Sequence, residues 1–283
     1  MGPDDAKLLA KWQRRTRLQA LARDRLPQRF VQVLGAFYNH RPEARLDRRG
    51  AAERGRIAVE VHRRCGGVVQ RGPFVGMRFP FATWDAPAKC IGSYERELHG
   101  EVQAMAAHGY PAIINVGCAE GFYAVGFARL SVASMIYAYD LSPEAVASCQ
   151  ALAGANDIRG ERMVYGGEVT HAVLDDLCQQ PALLVVDIEG AEAELLDPAL
   201  VPRLAHVDLL VELHHHVVPD IEDLMRCRFE ATHDIRLVSS ESRDDTETYT
   251  ELEGLSDHDA QLALFERPIV MRWMILTQRS TDF

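Results

Sequence analysis

From Pro111 onward, short apolar runs alternate with stretches of helical periodicity, and this rhythm restricts the fold more than any other feature of the chain. It predicts strands at 112–117, 135–140, 162–166, 182–187, 208–214, 235–239 and 270–277. Helices are expected between them, at about 121–131, 143–154, 169–178, 191–204, 220–229 and 258–265. Runs such as "ALLVVD" and "VDLLVEL" have no polar face and suit strands buried on both sides. Such an alternation builds an α/β fold with a doubly wound, mainly parallel seven-stranded sheet. One segment breaks the rhythm: "SSESRDDTETYTELEGLSDHD" (239–259) is long, polar and acidic, and is expected to cover the sheet's edge as a lid.

The part before the sheet has a different character. Residues 1–65 read as a helical, basic extension. Residues 66–110 read as a hairpin or irregular strand pair followed by a short lead-in helix at 93–109, and 111–283 as the ligand-binding domain. The first 100 residues hold 20 Lys and Arg against 10 Asp and Glu, and the remainder holds 11 against 31. Opposite surfaces of this kind suit docking of the extension on the domain, or a homodimer formed through the extension. They also leave room for attraction of an anionic ligand, although no aromatic–basic interleaving points to nucleic acid. No apolar run approaches the ~18 residues of a membrane span, and the N-terminus lacks a signal-peptide core, so no membrane partner is expected. Six scattered cysteines without a C-x-x-C pair read as reduced thiols, which suits a cytoplasmic protein.

The first strand runs into "NVGCAEG" (115–121) and then a helix. Gly117 permits a close turn, Gly121 lets helix and strand pack without a Cβ, and the turn is expected to bring backbone N–H groups towards a ligand. A dinucleotide fingerprint starting at Gly117 would need glycines at 119 and 122, where Ala119 and Phe122 stand. The second strand ends at Asp140, nineteen residues beyond Gly121, where an acid can accept hydrogen bonds from both hydroxyls of a ribose.

The run N-x-G-x-A-x-G resembles the cofactor loop of class I S-adenosylmethionine-dependent methyltransferases, with Asn115 in place of the usual acid and Ala119 in place of the middle glycine. Three further blocks, "GSYERELHGEV", "LLVVDIEGAEAELLD" and "LLVELHHH", resemble the FkbM-type members of that class, in the same order and over about residues 72–277. The resemblance implies S-adenosylmethionine as cofactor and methyl transfer to a hydroxyl, typically of a sugar or secondary metabolite. Carried over residue by residue, it places Asn115, Gly117, Ala119, Glu120, Gly121, Tyr123, Asp140 and Leu141 at the cofactor. Tyr94 and Glu95 are expected to close over the methionine end, Glu168 to reach the adenine side, and Asp187 to border both cofactor and acceptor.

Ligands of an open parallel sheet lie across the carboxyl ends of its strands. Asp187, with Glu189 and Glu192 beyond it, ends one strand; Glu212, His214 and His216 share a face of the next. Asp187, Glu212 and His214 are therefore the candidate catalytic residues. In the favoured arrangement His214 is the general base and Asp187 or Glu212 orients its ring. In the other, carboxylates and imidazole hold a divalent metal, although no complete ligand set is apparent from spacing. His171, His233 and His258 lack supporting context. Three competing readings remain at this stage: other chemistry with S-adenosylmethionine, a nicotinamide-dependent oxidoreductase, and a non-catalytic adaptor.

Overall fold

A computed structural model describes residues 42–243, 245–267 and 269–279; within the first helix, side chains are described from residue 52. Most of the expected helical extension, 1–41, lies outside the described residues. Seven strands form one sheet: β1 (Ala112–Val116), β2 (Met135–Tyr139), β3 (Met163–Gly166), β4 (Ala182–Val186), β5 (Asp208–Leu213), β6 (His233–Ser239) and β7 (Arg272–Gln278). Their order is β3-β2-β1-β4-β5-β7-β6, and β7 runs antiparallel to both neighbours while the other pairings are parallel. The order in which strands are added reverses between β1 and β4, which opens the switch-point crevice at the carboxyl ends of those strands.

The period-two alternation of each central strand feeds two cores. Ile113, Leu183, Val185 and Leu210 face one layer, and Ile114, Leu184, Val186, Leu209 and Val211 face the other. Asn115 and Glu212 share the parity of the first set, which places both on the face covered by the N-terminal segments. Those segments are α1 (Pro42–Arg64), α2 (Ala86–Ile91) and α3 (His99–His108), joined there by α4 (Phe122–Leu130), α5 (Pro143–Ala155) and α9 (Asp257–Leu264). On the opposite face lie α6 (His171–Leu177), α7 (Glu192–Leu195) and α8 (Ile221–Phe229). Helix starts follow local chemistry: Ser142, Thr170 and Ser256 each cap a helix by accepting a first-turn amide, and Pro143 occupies the first turn of α5.

Three expectations need correction. The helix foreseen over 191–204 is one turn, α7, followed by a 3-10 turn at Pro202–His206, because Pro198 and Pro202 remove amides and clash with the preceding turn. Of the hairpin or irregular strand pair expected over 66–92, the structure holds a single antiparallel bridge, Val68 with Arg78, followed by α2. The lead-in expected as one helix over 93–109 is a turn, a 3-10 stretch at Arg96–Leu98 and then α3, which ends at the left-handed Gly109. The basic-to-acidic docking foreseen from the charge split is visible where it falls within described residues. Arg56 pairs with Asp259 at 2.6 Å, Arg71 pairs with Glu251 at 2.7 Å, and Arg64 donates to the carbonyls of Glu251 and Glu253.

The acidic segment after β6 is folded rather than open. Tyr249 and Leu252 are buried in the core, and Arg243 is buried against the lead-in, donating to the carbonyl of Ser93 and pairing with Glu97 and Glu266. No helix among the described residues is long and apolar enough to cross a membrane, and all six cysteines are free thiols. His233, read as bland, is a satisfied core residue whose Nε2 lies 2.9 Å from the Val207 carbonyl.

Candidate active site

One wall of the crevice is built from backbone. After β1 the chain turns through Gly117 at φ +78°, so close to the end of β4 that a Cβ on Gly117 would sit 1.7 Å from the Asp187 carbonyl oxygen. A Cβ on Gly121, at φ +94°, would lie 2.5 Å from Cys149 Sγ. Ala119 takes a left-handed conformation too, with φ +46°, in the slot where a glycine is usual. The turn's amides are not free, contrary to expectation: those of Gly117 and Cys118 both donate to the Tyr139 carbonyl, and that of Ala119 donates to Asp140 Oδ2 at 2.9 Å. The other oxygen of Asp140 accepts the Ser142 amide at 2.9 Å. Asp140 thus locks the turn to the tip of β2, while each of its oxygens keeps a second lone pair for a ligand hydroxyl. Beneath the turn, Asn115 is buried; its Nδ2 reaches the Val185 carbonyl at 3.4 Å, while its Oδ1 has no partner. An orphaned buried acceptor is costly unless a ligand donor meets it.

The other wall is built from charged side chains at the tips of β4 and β5. Asp187, Glu212 and His214 offer ligand atoms within 4.8 Å of one another. The imidazole is almost fully buried, and its Nδ1 lies 2.8 Å from Glu192 Oε1. The same oxygen accepts the Ile188 amide at 2.9 Å, so Glu192 acts as the acceptor and Nδ1 carries the hydrogen. Glu192 is fully buried. The residue orienting the ring is therefore Glu192 and not Asp187 or Glu212. Opposite it, Nε2 faces Asp187 Oδ1 at 3.6 Å, Glu212 Oε2 at 3.6 Å and Glu189 Oε2 at 3.5 Å. Glu189 reaches this position from a left-handed backbone at φ +56°.

Burial and crowding of like charges govern the electrostatics here. Burial pushes Asp187 up to about 6, and burial together with the charge of Asp187 pushes Glu212 up to about 8, against the pull of Arg267. For His214, burial disfavours the charged ring, but the hydrogen bond and charge of Glu192 outweigh it, with Glu212 and Asp187 adding, and raise its pKa to about 9. Burial likewise lifts Glu95 to about 7. Glu95 sits in the lead-in at φ +47°, accepts a hydrogen bond from the Tyr123 hydroxyl and pairs with Arg267, which also holds Glu212. Glu95 and Tyr123 therefore join the charged wall at β4 and β5 through Arg267.

Other expected residues stand elsewhere. Glu120 pairs with Lys89, which also pairs with Asp85. Burial disfavours the Lys89 charge, but these two acids overcome it and raise the ammonium's pKa. The same ammonium lies 4.9 Å from the ring centre of Tyr94, which itself packs edge-on to Phe122. Leu141 is 78% exposed. Glu168 is exposed beyond β3 and has no hydrogen bond or ion pair among the described residues; His216 is exposed as well. Sequence reasoning missed Lys89, Arg267 and the role of Glu192. For Glu192 a signal existed, an acid five residues after Asp187 in the first turn of a helix; for Arg267, in the loop before β7, none did.

Neither a protein-family model nor a curated protein matches the chain. Solved structures overlap it loosely. The precorrin-6y C5,15-methyltransferase of Geobacter metallireducens GS-15 is 11% identical, with 63% of this chain and 87% of that one covered at a TM-score of 0.44. An rRNA methylase of Streptococcus thermophilus is 10% identical, covering 65% and 98% at 0.44. An O-methyltransferase of Bacillus cereus, in complex with SAH, is 10% identical, covering 62% and 79% at 0.40. Overlaps this slight bring no activity or substrate to this chain.

Proposed function

We propose that the chain is an S-adenosylmethionine-dependent methyltransferase of FkbM type that methylates a hydroxyl of a sugar or secondary metabolite. The observation that carries this reading is the glycine turn locked to Asp140 above an orphaned Asn115 oxygen, set across one crevice from an acid–imidazole cluster. The residues fit the cofactor. Asp140 has lone pairs left for ribose hydroxyls, Asn115 Oδ1 needs a donor such as an ammonium, and Leu141 offers an exposed apolar surface for an adenine face.

When bound, the cofactor supplies an electrophilic methyl on a sulfonium. The chain's own work is to hold donor and acceptor in line, to exclude water and to receive the hydroxyl proton. Glu95, Tyr123 and Arg267 form the bonded network beside the acceptor wall, and Asp187, Glu212 and His214 supply its polar groups. The docked segment around Arg243 and Tyr249 roofs the lead-in and keeps solvent from it.

Calorimetry with S-adenosylhomocysteine tests the cofactor assignment. Asp140→Ala removes a charged hydrogen-bond acceptor and should weaken binding by roughly ten- to a hundredfold, about 1.5–3 kcal/mol. Binding as tight as that of the unaltered chain overturns the reading. Mass spectrometry of candidate alcohols after incubation reads the reaction itself, and a mass gain of one methyl is the expected result.

A further inference from the structure

The cluster at the tips of β4 and β5 gathers three carboxylates around one imidazole nitrogen. His214 Nε2 makes no hydrogen bond, yet three carboxylate oxygens surround it at 3.5, 3.6 and 3.6 Å. Those separations are too long for hydrogen bonds. They lie within about 0.1 Å of the edges of a coordination polyhedron, whose donors, ~2.0–2.2 Å from a shared ion, are about 3.0–3.5 Å apart. Nδ1–H is committed to Glu192, so Nε2 is the ring atom that faces the gap, and an ion bound there takes the place of the Nε2 proton. A carboxylate on the far nitrogen of an imidazole is the usual support of a metal-ligating histidine. The ring that faces the gap is only 3% exposed.

Asp187, Glu189, Glu192 and Glu212 converge on His214, and among the described residues Arg267 pairs with this group, on the far oxygen of Glu212. Oε2 of Glu212 and Oδ1 of Asp187 both face Nε2 across the gap.

We infer that Asp187, Glu212 and His214 bind a divalent transition-metal ion, with the exposed Glu189 as a fourth donor and Glu192 as the positioning residue that fixes the imidazole. The mixed oxygen and imidazole donors suit manganese, iron or zinc better than magnesium or calcium. Binding of the ion stands by itself; its use in holding an acceptor oxygen rests on the methyl-transfer reading.

The test uses the full chain, stripped of metal by a chelator, dialysed, and titrated with Mn²⁺ and Zn²⁺ without S-adenosylmethionine. Calorimetry should show one ion per chain, and the Mn²⁺ resonance signal should broaden on binding. Asp187→Asn and Glu192→Gln should each weaken binding by about ten- to a hundredfold. Glu189→Gln, whose side chain is exposed and carries no core packing, should weaken it by several-fold. S-adenosylhomocysteine binding by Glu189→Gln and Glu192→Gln reports whether the cofactor wall is intact and separates failure of this site from failure of the methyltransferase reading. Absence of binding for both ions up to millimolar concentration, or binding unaltered by all three substitutions, overturns the inference.

Discussion

The two walls of the crevice are made of different material. The wall at β1 and β2 is backbone: left-handed residues, a carbonyl shared by two amides, and one carboxylate that accepts two more. Its position is set by hard contacts, since no side chain fits between Gly117 and the end of β4. The wall at β4 and β5 is side chain: four acids, an imidazole and a guanidinium drawn from separate elements and held by one another's charge. Backbone walls recognise a ligand of fixed shape, whereas a charged wall tolerates rearrangement and suits chemistry in which protons or ions move. The walls meet at Asp187, whose amide donates to Val116 and whose carbonyl faces Gly117.

That contrast can be broken at its joint. Gly117→Ala forces a Cβ into the Asp187 carbonyl and a side chain onto a left-handed backbone, so it should cost about 3–5 kcal/mol of stability and abolish S-adenosylhomocysteine binding. Urea unfolding checks this; a variant as stable as the original would show that the walls are not in contact. Asn115→Leu is subtler. It replaces an orphaned buried amide with an apolar group of like size, so stability should hold or rise by up to about 1 kcal/mol while affinity for S-adenosylmethionine falls about tenfold. Thermal unfolding and calorimetry on one sample separate the two effects, and parallel changes would mean that Asn115 serves packing alone. The smallest effect belongs to Glu168→Ala. Exposed and unbonded, this side chain should change stability by less than about 0.5 kcal/mol and cofactor affinity by under about twofold. A larger loss would extend the cofactor wall to β3.

What the sequence by itself determined was whatever is written in local periodicity. The seven strands follow from runs of apolar residues, and their ends lie within about two residues of those expected; the signal is plainest in β1, β4 and β5, which are buried on both faces. The glycine turn and Asp140 were legible for the same reason: a tight approach needs residues without a Cβ, and their spacing is fixed by one helix and one strand. Asp187, Glu212 and His214 were legible as strand tips. Only the tertiary structure decided how those tips combine. It gave the ring of His214 to Glu192, brought Arg267 from the loop before β7 to bridge Glu95 and Glu212, and sent Glu120 to a lysine at the end of a short helix. These partners are 22, 55 and 31 residues apart for His214–Glu192, Arg267–Glu212 and Lys89–Glu120. Charge pairing at such separations leaves no periodic trace, because a charge is satisfied by any opposite charge that folding brings within reach, whatever its place in the chain.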